Sequence, residues 1–290
     1  LFASTIAKKQ RLVLMHTHPS NMDLNKVLQI GLYAPAAFFS YPWKPIMLLF
    51  WGNGYDISYE HFRRDHSNPY NLAGHCLMAA GQLTANFGLL NSLDESLRGA
   101  FDFPPLILDH DRVISLATVA AWSVPLLAAP CPLVVKACTM ACMYGAYKVA
   151  PKLKDHMQTI IALTSIVEVV AIQTYLLKQP LGLWSTGSKI ALRLGLQWLL
   201  KSQAEGVLKP YAPTVNILVA LFQIAVSAQT DPLKPPVTAV TFGLFGWIFA
   251  LLTKSPGLLF FSTGLTLTAG QGVTHVLTGQ SANLPQLVGK

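Results

Sequence analysis

Residues 66–75 read H-S-N-P-Y-N-L-A-G-H, and near the other end of the chain residues 271–275 read Q-G-V-T-H. The eight histidines are His16, His18, His61, His66, His75, His110, His156 and His275. Two of them, His75 and His275, fall inside long uncharged stretches, where an ionisable side chain needs a partner and is a functional candidate by default. Taken singly, each is also readable as an imidazole hydrogen-bonded to a neighbouring helix. The surroundings of His75 are more specific. Asn68 followed by Pro69 is an N-cap with proline at the first helical position. That start puts His66 just ahead of a helix and His75 in its second turn, with Asn71 and His75 on one face at i and i+4. Gln271 and His275 repeat that spacing, as do His61 and Asp65, which suits two ligands of one metal or a carboxylate–histidine pair. His66, His75 and His275 brought together would form a non-haem iron site, because imidazole suits Fe(II) and three ligands leave positions open. Asn68, Asn71 and Gln271 would support them.

Other polar groups have plainer readings. Glu168 stands alone in an apolar stretch, where pairing with Lys189 or Arg193 is expected, a proton relay being the alternative. Asp109-His110-Asp111 reads as a solvated loop or a surface cation site. Cys76, Cys131, Cys138 and Cys142 lie in apolar stretches without a C-x-x-C pair, so they indicate neither a disulfide framework nor a zinc site. Phosphate-binding glycine loops, G-x-S-x-G and H-E-x-x-H do not occur, which removes the common NTPase, hydrolase and zincin readings.

The elements that must position these residues are helices in a bilayer. Of the 290 residues, 52% are hydrophobic and 12% charged, against roughly a quarter charged in soluble proteins. Ser255 to Gly289 is 35 residues without an Asp, Glu, Lys or Arg, and His66 to Leu93 is another 28. At about 20 residues per crossing, the expectation is an all-α polytopic membrane bundle of about six to eight hydrophobic helices. The net charge of +8 is concentrated among these segments, with 13 basic and 4 acidic groups after residue 111. Lys and Arg in short membrane loops report orientation or anionic lipid, so nucleic acid is not an expected partner.

Residues 1–57 read as an N-terminal extension, with a short helix over 27–40 and a proline-broken interfacial stretch holding Pro35, Pro42 and Pro45. Lys8, Lys9 and Arg11 without an acid in residues 1–22 fit the remnant of an organelle-targeting sequence. Residues 58–290 then form a single transmembrane helical domain. It contains an amphipathic turn over 58–65, a span over 69–90, an acidic loop over 91–112 and a kinked or broken span over 113–135. Helix resumes over 133–150 and is followed by a basic loop with Lys148, Lys152 and Lys154, facing opposite to the acidic loop. Further spans are expected over 157–177, 212–229, 236–253 and 256–277. Lys189, Arg193, Gln197 and Lys201 recur at i+4, so 186–202 is either an interfacial amphipathic helix or a docked helix with a wet stripe.

The decapeptide 66–75 resembles the first signature, His-x-Asn-Pro-x-Asn-x-x-x-His, of the membrane 2-hydroxy fatty acid (2-hydroxypalmitate) dioxygenases of α-oxidation during phytosphingosine breakdown. Gln271 to His275 is similar to that family's second signature. The resemblance covers two short patches. It implies a multi-span enzyme of endoplasmic-reticulum type that uses Fe(II) and O2 to shorten a fatty acyl substrate by one carbon, with His66, His75 and His275 as ligands. The chain departs from the pattern at Thr274, where the family has Gly, at Gly279, where it has Glu, at Asn283, where it has Pro, and at Ser67, where some members have a further His. Those departures carry the alternative expectation of a non-catalytic subunit of a larger plastid or mitochondrial membrane complex, photosynthetic or respiratory, in which the histidines bind pigment or haem or merely pack.

Overall fold

Two helix starts in this chain are set by capping residues. In the computed structural model the side-chain oxygen of Asn68 accepts hydrogen bonds from the backbone N–H groups of Tyr70 (2.9 Å) and Asn71 (3.4 Å). Ser255 Oγ accepts from Leu258 N (3.3 Å), and Pro256 opens the helix behind it. Both are N-terminal donors that would otherwise lack partners. The structure describes residues 65–98, 112–128, 131–203, 209–211 and 234–280, with single positions at 63, 214 and 218. Its α-helices are α1 Pro69–Arg98, α2 Val113–Ala128, α3 Leu133–Val149, α4 Met157–Ala171, α5 Leu183–Gln203, α6 Lys234–Thr253 and α7 Pro256–Leu277. Among the described residues there is no strand, so the all-α expectation holds there. The N-terminal extension 1–57, most of the turn 58–65, the span over 212–229 and Asp109-His110-Asp111 lie outside the described residues.

The tightest packing is between α1 and α7, and glycine permits it. A Cβ built on Gly74 would lie 2.8 Å from Thr274 Cγ2, one on Gly81 2.9 Å from Leu267 Cδ1, and one on Gly88 2.5 Å from Phe260 Cδ1. The glycines climb α1 in steps of seven while their partners descend α7 in steps of seven, the register of two antiparallel helices at close approach. Leu89, Phe260, Phe261 and Leu265 form a buried cluster along this seam. On the other side of α1, Leu83 and Phe87 pack on Met143, Ala146 and Tyr147 of α3.

Three expectations change. First, α1 does not stop at residue 90 but continues to Arg98, so Asp94 and Glu95 are helical. Asp94 is buried and caps α2 from outside, accepting from Ile114 N (2.7 Å), Ser115 N (3.1 Å) and Ser115 Oγ (2.7 Å). A carboxylate there satisfies the free N–H groups and the positive end of the helix dipole. Second, 148–155 is not a loop. Ala150–His156 is a 3-10 turn, and Leu133–Leu176 is one helical run of 44 residues. Third, the acidic and basic segments share one end, since Lys154 Nζ pairs with the Glu95 carboxylate. The physical reason is that 113–149 is a hairpin of two helices, α2 and α3, which returns the chain to the end it left. Arg112 closes that end, with Nε donating to Asn91 Oδ1 (2.7 Å), Nη2 donating to Tyr147 O (2.7 Å) and the guanidinium 3.8 Å over the Tyr147 ring.

By length and apolarity, Leu133–Leu176 is the one candidate membrane span among the described residues; the all-α expectation holds there, but the expected count of six to eight spans is not supported. Helix α7 carries no charged residue, but Ser262, Thr263, Thr266, Gln271, Thr274 and His275 lower its apolarity, and all six are buried. Helix α5 has the same inversion. Its polar stripe of Arg193 and Gln197 turns inward, Gln197 being 4% exposed, while Trp184 is 88% exposed on the outside. The helix docks on the bundle, as the second reading of 186–202 has it, but Arg193 and Gln197 of the expected wet stripe are turned away from solvent. Arg193 meets buried Glu168, with Nε donating to Oε2 at 2.9 Å and Nη2 at 2.8 Å from the same oxygen, and Ser165 and Gln197 pair beside it at 2.8 Å. The expected partner of Glu168 is therefore observed as Arg193.

Two outcomes test this packing. Gly88→Ala should destabilise by about 1–3 kcal/mol, the range for overpacked cores, with Phe260→Leu restoring part of the loss in thermal unfolding. Arg193→Met, which leaves Glu168 buried without its cation, should cost about 3–5 kcal/mol. Pairing it with Glu168→Gln should recover most of that; an equally unstable double variant would show that packing and not charge dominates.

Candidate metal centre

The antiparallel register of α1 and α7 sets the N-terminus of one beside the C-terminus of the other. His75 therefore faces the last turn of α7, where His275 sits. His66 joins them from the segment that enters α1, ahead of the Asn68 cap. All three rings are buried. His66 Nε2 lies 3.1 Å from His75 Nδ1 and 3.1 Å from His275 Nε2. The rings are nearly perpendicular to one another, at 84°, 70° and 89°. One nitrogen from each ring falls within 4.8 Å of the others, the one such group of three potential ligands among the described residues.

This arrangement fits a metal. Ligand nitrogens about 2.0–2.1 Å from an ion stand about 3.0–3.4 Å apart when adjacent, and two of the three separations are 3.1 Å. Hydrogen bonding accounts for the cluster less well. A ring nitrogen carries either one proton or one lone pair, yet His66 Nε2 faces both other rings at the same distance.

Asn71 braces the centre. Its Nδ2 lies 3.1 Å from His275 Nδ1, 2.8 Å from Gln280 Oε1 and 3.4 Å from Asp65 O. Gln280 was not foreseen. Its Oε1 also accepts from Asn68 N (3.2 Å), and its Nε2 donates to Ser67 Oγ (2.6 Å), so it clips the end of α7 to the start of α1. A signal for it stands in the sequence, because Gly279 just past the last helical residue is a C-terminal stop. Gly279 has φ +66°, its N–H donates to Val276 O (3.2 Å), and Gln280 N donates to His275 O (3.0 Å). Those are the two bonds of a Schellman turn. The residue that departs from the family pattern thus has a backbone task, turning Gln280 back over the site.

Other expected participants stand apart. Gln271 is one turn below the cluster, and its side chain donates to Gln82 Oε1 at 2.6 Å, holding α7 on α1. Asp65 is buried beside His66 and offers its backbone carbonyl to Asn71; its carboxylate is not in the three-ligand group. His61 lies outside the described residues. No family model, no curated protein and no solved structure matches this chain.

Because Gly279 is left-handed, Gly279→Val should destabilise by about 1–2 kcal/mol, whereas Gly279→Asn, which tolerates that conformation, should stay near the parent. Thermal unfolding of the two variants reads the difference, and equal losses would remove the backbone explanation.

Proposed function

We propose that this protein is a membrane-embedded metal enzyme in which His66, His75 and His275 hold Fe(II), and that its substrate is the acyl chain of a membrane lipid or fatty acid. The observation that carries the reading is the convergence of three buried imidazoles from segments 209 residues apart onto one point. The resemblance of residues 66–75 and 271–275 to the 2-hydroxy fatty acid dioxygenases supplies the substrate class, oxidative shortening of a 2-hydroxy fatty acid by one carbon. Iron held by three imidazoles supplies redox chemistry with O2 and keeps positions open for it.

The chain's own residues do the rest. The three rings fix the ion from two helix ends and the segment before α1. Asn71 lies against the His275 nitrogen that does not face the cluster, with Nδ2 3.1 Å away, and takes the accepting role usual for outer partners of ligating histidines when Oδ1 faces that nitrogen instead. Burial of all three rings keeps bulk water from the ion. A multi-pass bilayer setting is supported by the polarity of the bundle, with Glu168, Arg193, Gln197 and the polar residues of α7 inside and Leu183, Trp184, Leu192 and Trp198 exposed. That inversion suits an apolar surrounding. The family resemblance points to an endoplasmic-reticulum-type membrane.

A second reading is a non-catalytic subunit of a larger plastid or mitochondrial assembly, and the exposed apolar face of α5 favours it. Haem or pigment at the histidines is less well supported. Haem or pigment would take one or two of the imidazoles, which leaves one of the three buried rings, with nitrogens 3.1 Å apart, without a task.

Metal analysis of the protein purified in detergent tests the proposal. The parent should hold about one iron per chain, and His66→Ala, His75→Ala and His275→Ala should each lose it while keeping helical content by circular dichroism. The iron-loaded parent should consume O2 on addition of a 2-hydroxy fatty acid. Full iron retention by the His75 variant would sink the reading, and a chain that purifies only in a stable complex and consumes no O2 would favour the second.

A further inference from the structure

The hydrogen bonds around Gln280 run in one direction. The backbone N–H of Asn68 can only donate, so the atom of Gln280 that faces it at 3.2 Å must be Oε1. That places Nε2 on Ser67 Oγ at 2.6 Å. Oε1 in turn needs a donor from Asn71, and Nδ2 supplies it at 2.8 Å. With Nδ2 on that side, its other hydrogen faces His275 Nδ1 at 3.1 Å and Asp65 O at 3.4 Å, and the nearer acceptor is His275 Nδ1. His275 Nδ1 is then an acceptor, and in the neutral ring the proton sits on Nε2, toward His66 Nε2 at 3.1 Å. Binding a metal through His275 Nε2 needs the opposite tautomer, with the lone pair on Nε2 and the proton on Nδ1, a hydrogen bond donor. Asn71 has the means to accept that hydrogen bond, since its buried Oδ1 has no other partner.

We propose that Gln280 is a positioning residue that selects, through the Asn71 amide, which nitrogen of His275 carries the proton. The metal-free centre is held in the Nε2–H form. Loading breaks the Nε2–H bond and forms an Nδ1–H bond, so the ring stays neutral. At the same time the Asn71 amide turns by half a rotation, bringing Oδ1 onto Nδ1. Gln280 Oε1 gives up the Asn71 donor in that step and keeps Asn68 N. The clip thus makes occupancy of the three-histidine site conditional on a rearrangement two hydrogen bonds away. The tautomer assignment is independent of the metal reading, and only the loading step rests on it.

The test is nitrogen NMR of the full chain in detergent, labelled with 15N-histidine and freed of metal, with His275 assigned from the spectrum that His275→Asn lacks. The parent should show His275 protonated on Nε2. Asn71→Asp, which can only accept, should move the proton to Nδ1, and Gln280→Ala should yield a mixture of the two forms. Gln280→Met keeps the side chain's length without its polar atoms and gives the same readout if the alanine variant does not fold. With Zn2+ as the probe, Asn71→Asp should bind about 10–100-fold more tightly than Asn71→Ala. A parent already protonated on Nδ1, or a Gln280 variant whose tautomer matches the parent's, would overturn the assignment. A tautomer shift in a protein that binds neither Zn2+ nor iron would overturn the metal function and leave the role of Gln280 intact.

Discussion

The close approach of α1 and α7 is the constraint on which the other features depend. Three glycines on one helix meet Thr274, Leu267 and Phe260 on the other with no room for a methyl group at the contact. That proximity fixes rotation and register together, because a slip of either helix drives a side chain into backbone. Once fixed, the register sets His75 opposite His275, Gln82 opposite Gln271, and the cap at Asn68 within reach of Gln280. The centre is therefore a by-product of helix packing, and its geometry is as firm as that seam.

Polar groups in this bundle are placed by scarcity of partners. A buried polar group left unmet is costly, so pairs of such groups tie helices together. Asp94 answers the start of α2, Glu168 answers Arg193, and Gln82 answers Gln271, each joining two helices. Apolar side chains are left free to face outward. Such a distribution specifies which helices are neighbours more sharply than interchangeable leucines would, since a misplaced carboxylate has no substitute partner.

Much of this was legible in the sequence where the signal is local. Asn68-Pro69 marks a helix start, and that start gives the second-turn position of His75. The lone Glu168 in an apolar run called for a cation, and Arg193 is it. Long-range facts were less legible. Asp94 read as part of a loop because a carboxylate looks solvent-facing until its partner, the start of α2, is in place. The parity of α2 and α3 was lost among Pro125, Pro130 and Pro132, since proline marks an interruption without saying whether the chain bends or reverses. Gly74, Gly81 and Gly88 recur at seven residues, a pattern visible in the sequence that gains meaning only with the helix it faces. Gly279 was weighed against the Glu of a family pattern, whereas its own conformation explains it.

The separation between the histidines also has a consequence in time. His66 and His275 are 209 residues apart, and a ribosome adding about 5–20 residues per second needs roughly 10–40 s to make the chain between them. For that interval α1 exists without α7, its glycine groove unfilled and its first two histidines waiting for the third. The three imidazoles cannot meet before α7 is made, so any ion held by all three would be taken up only after synthesis has passed residue 275. A nascent chain stopped just short of residue 275 would carry α1 to α6 and still lack the third histidine.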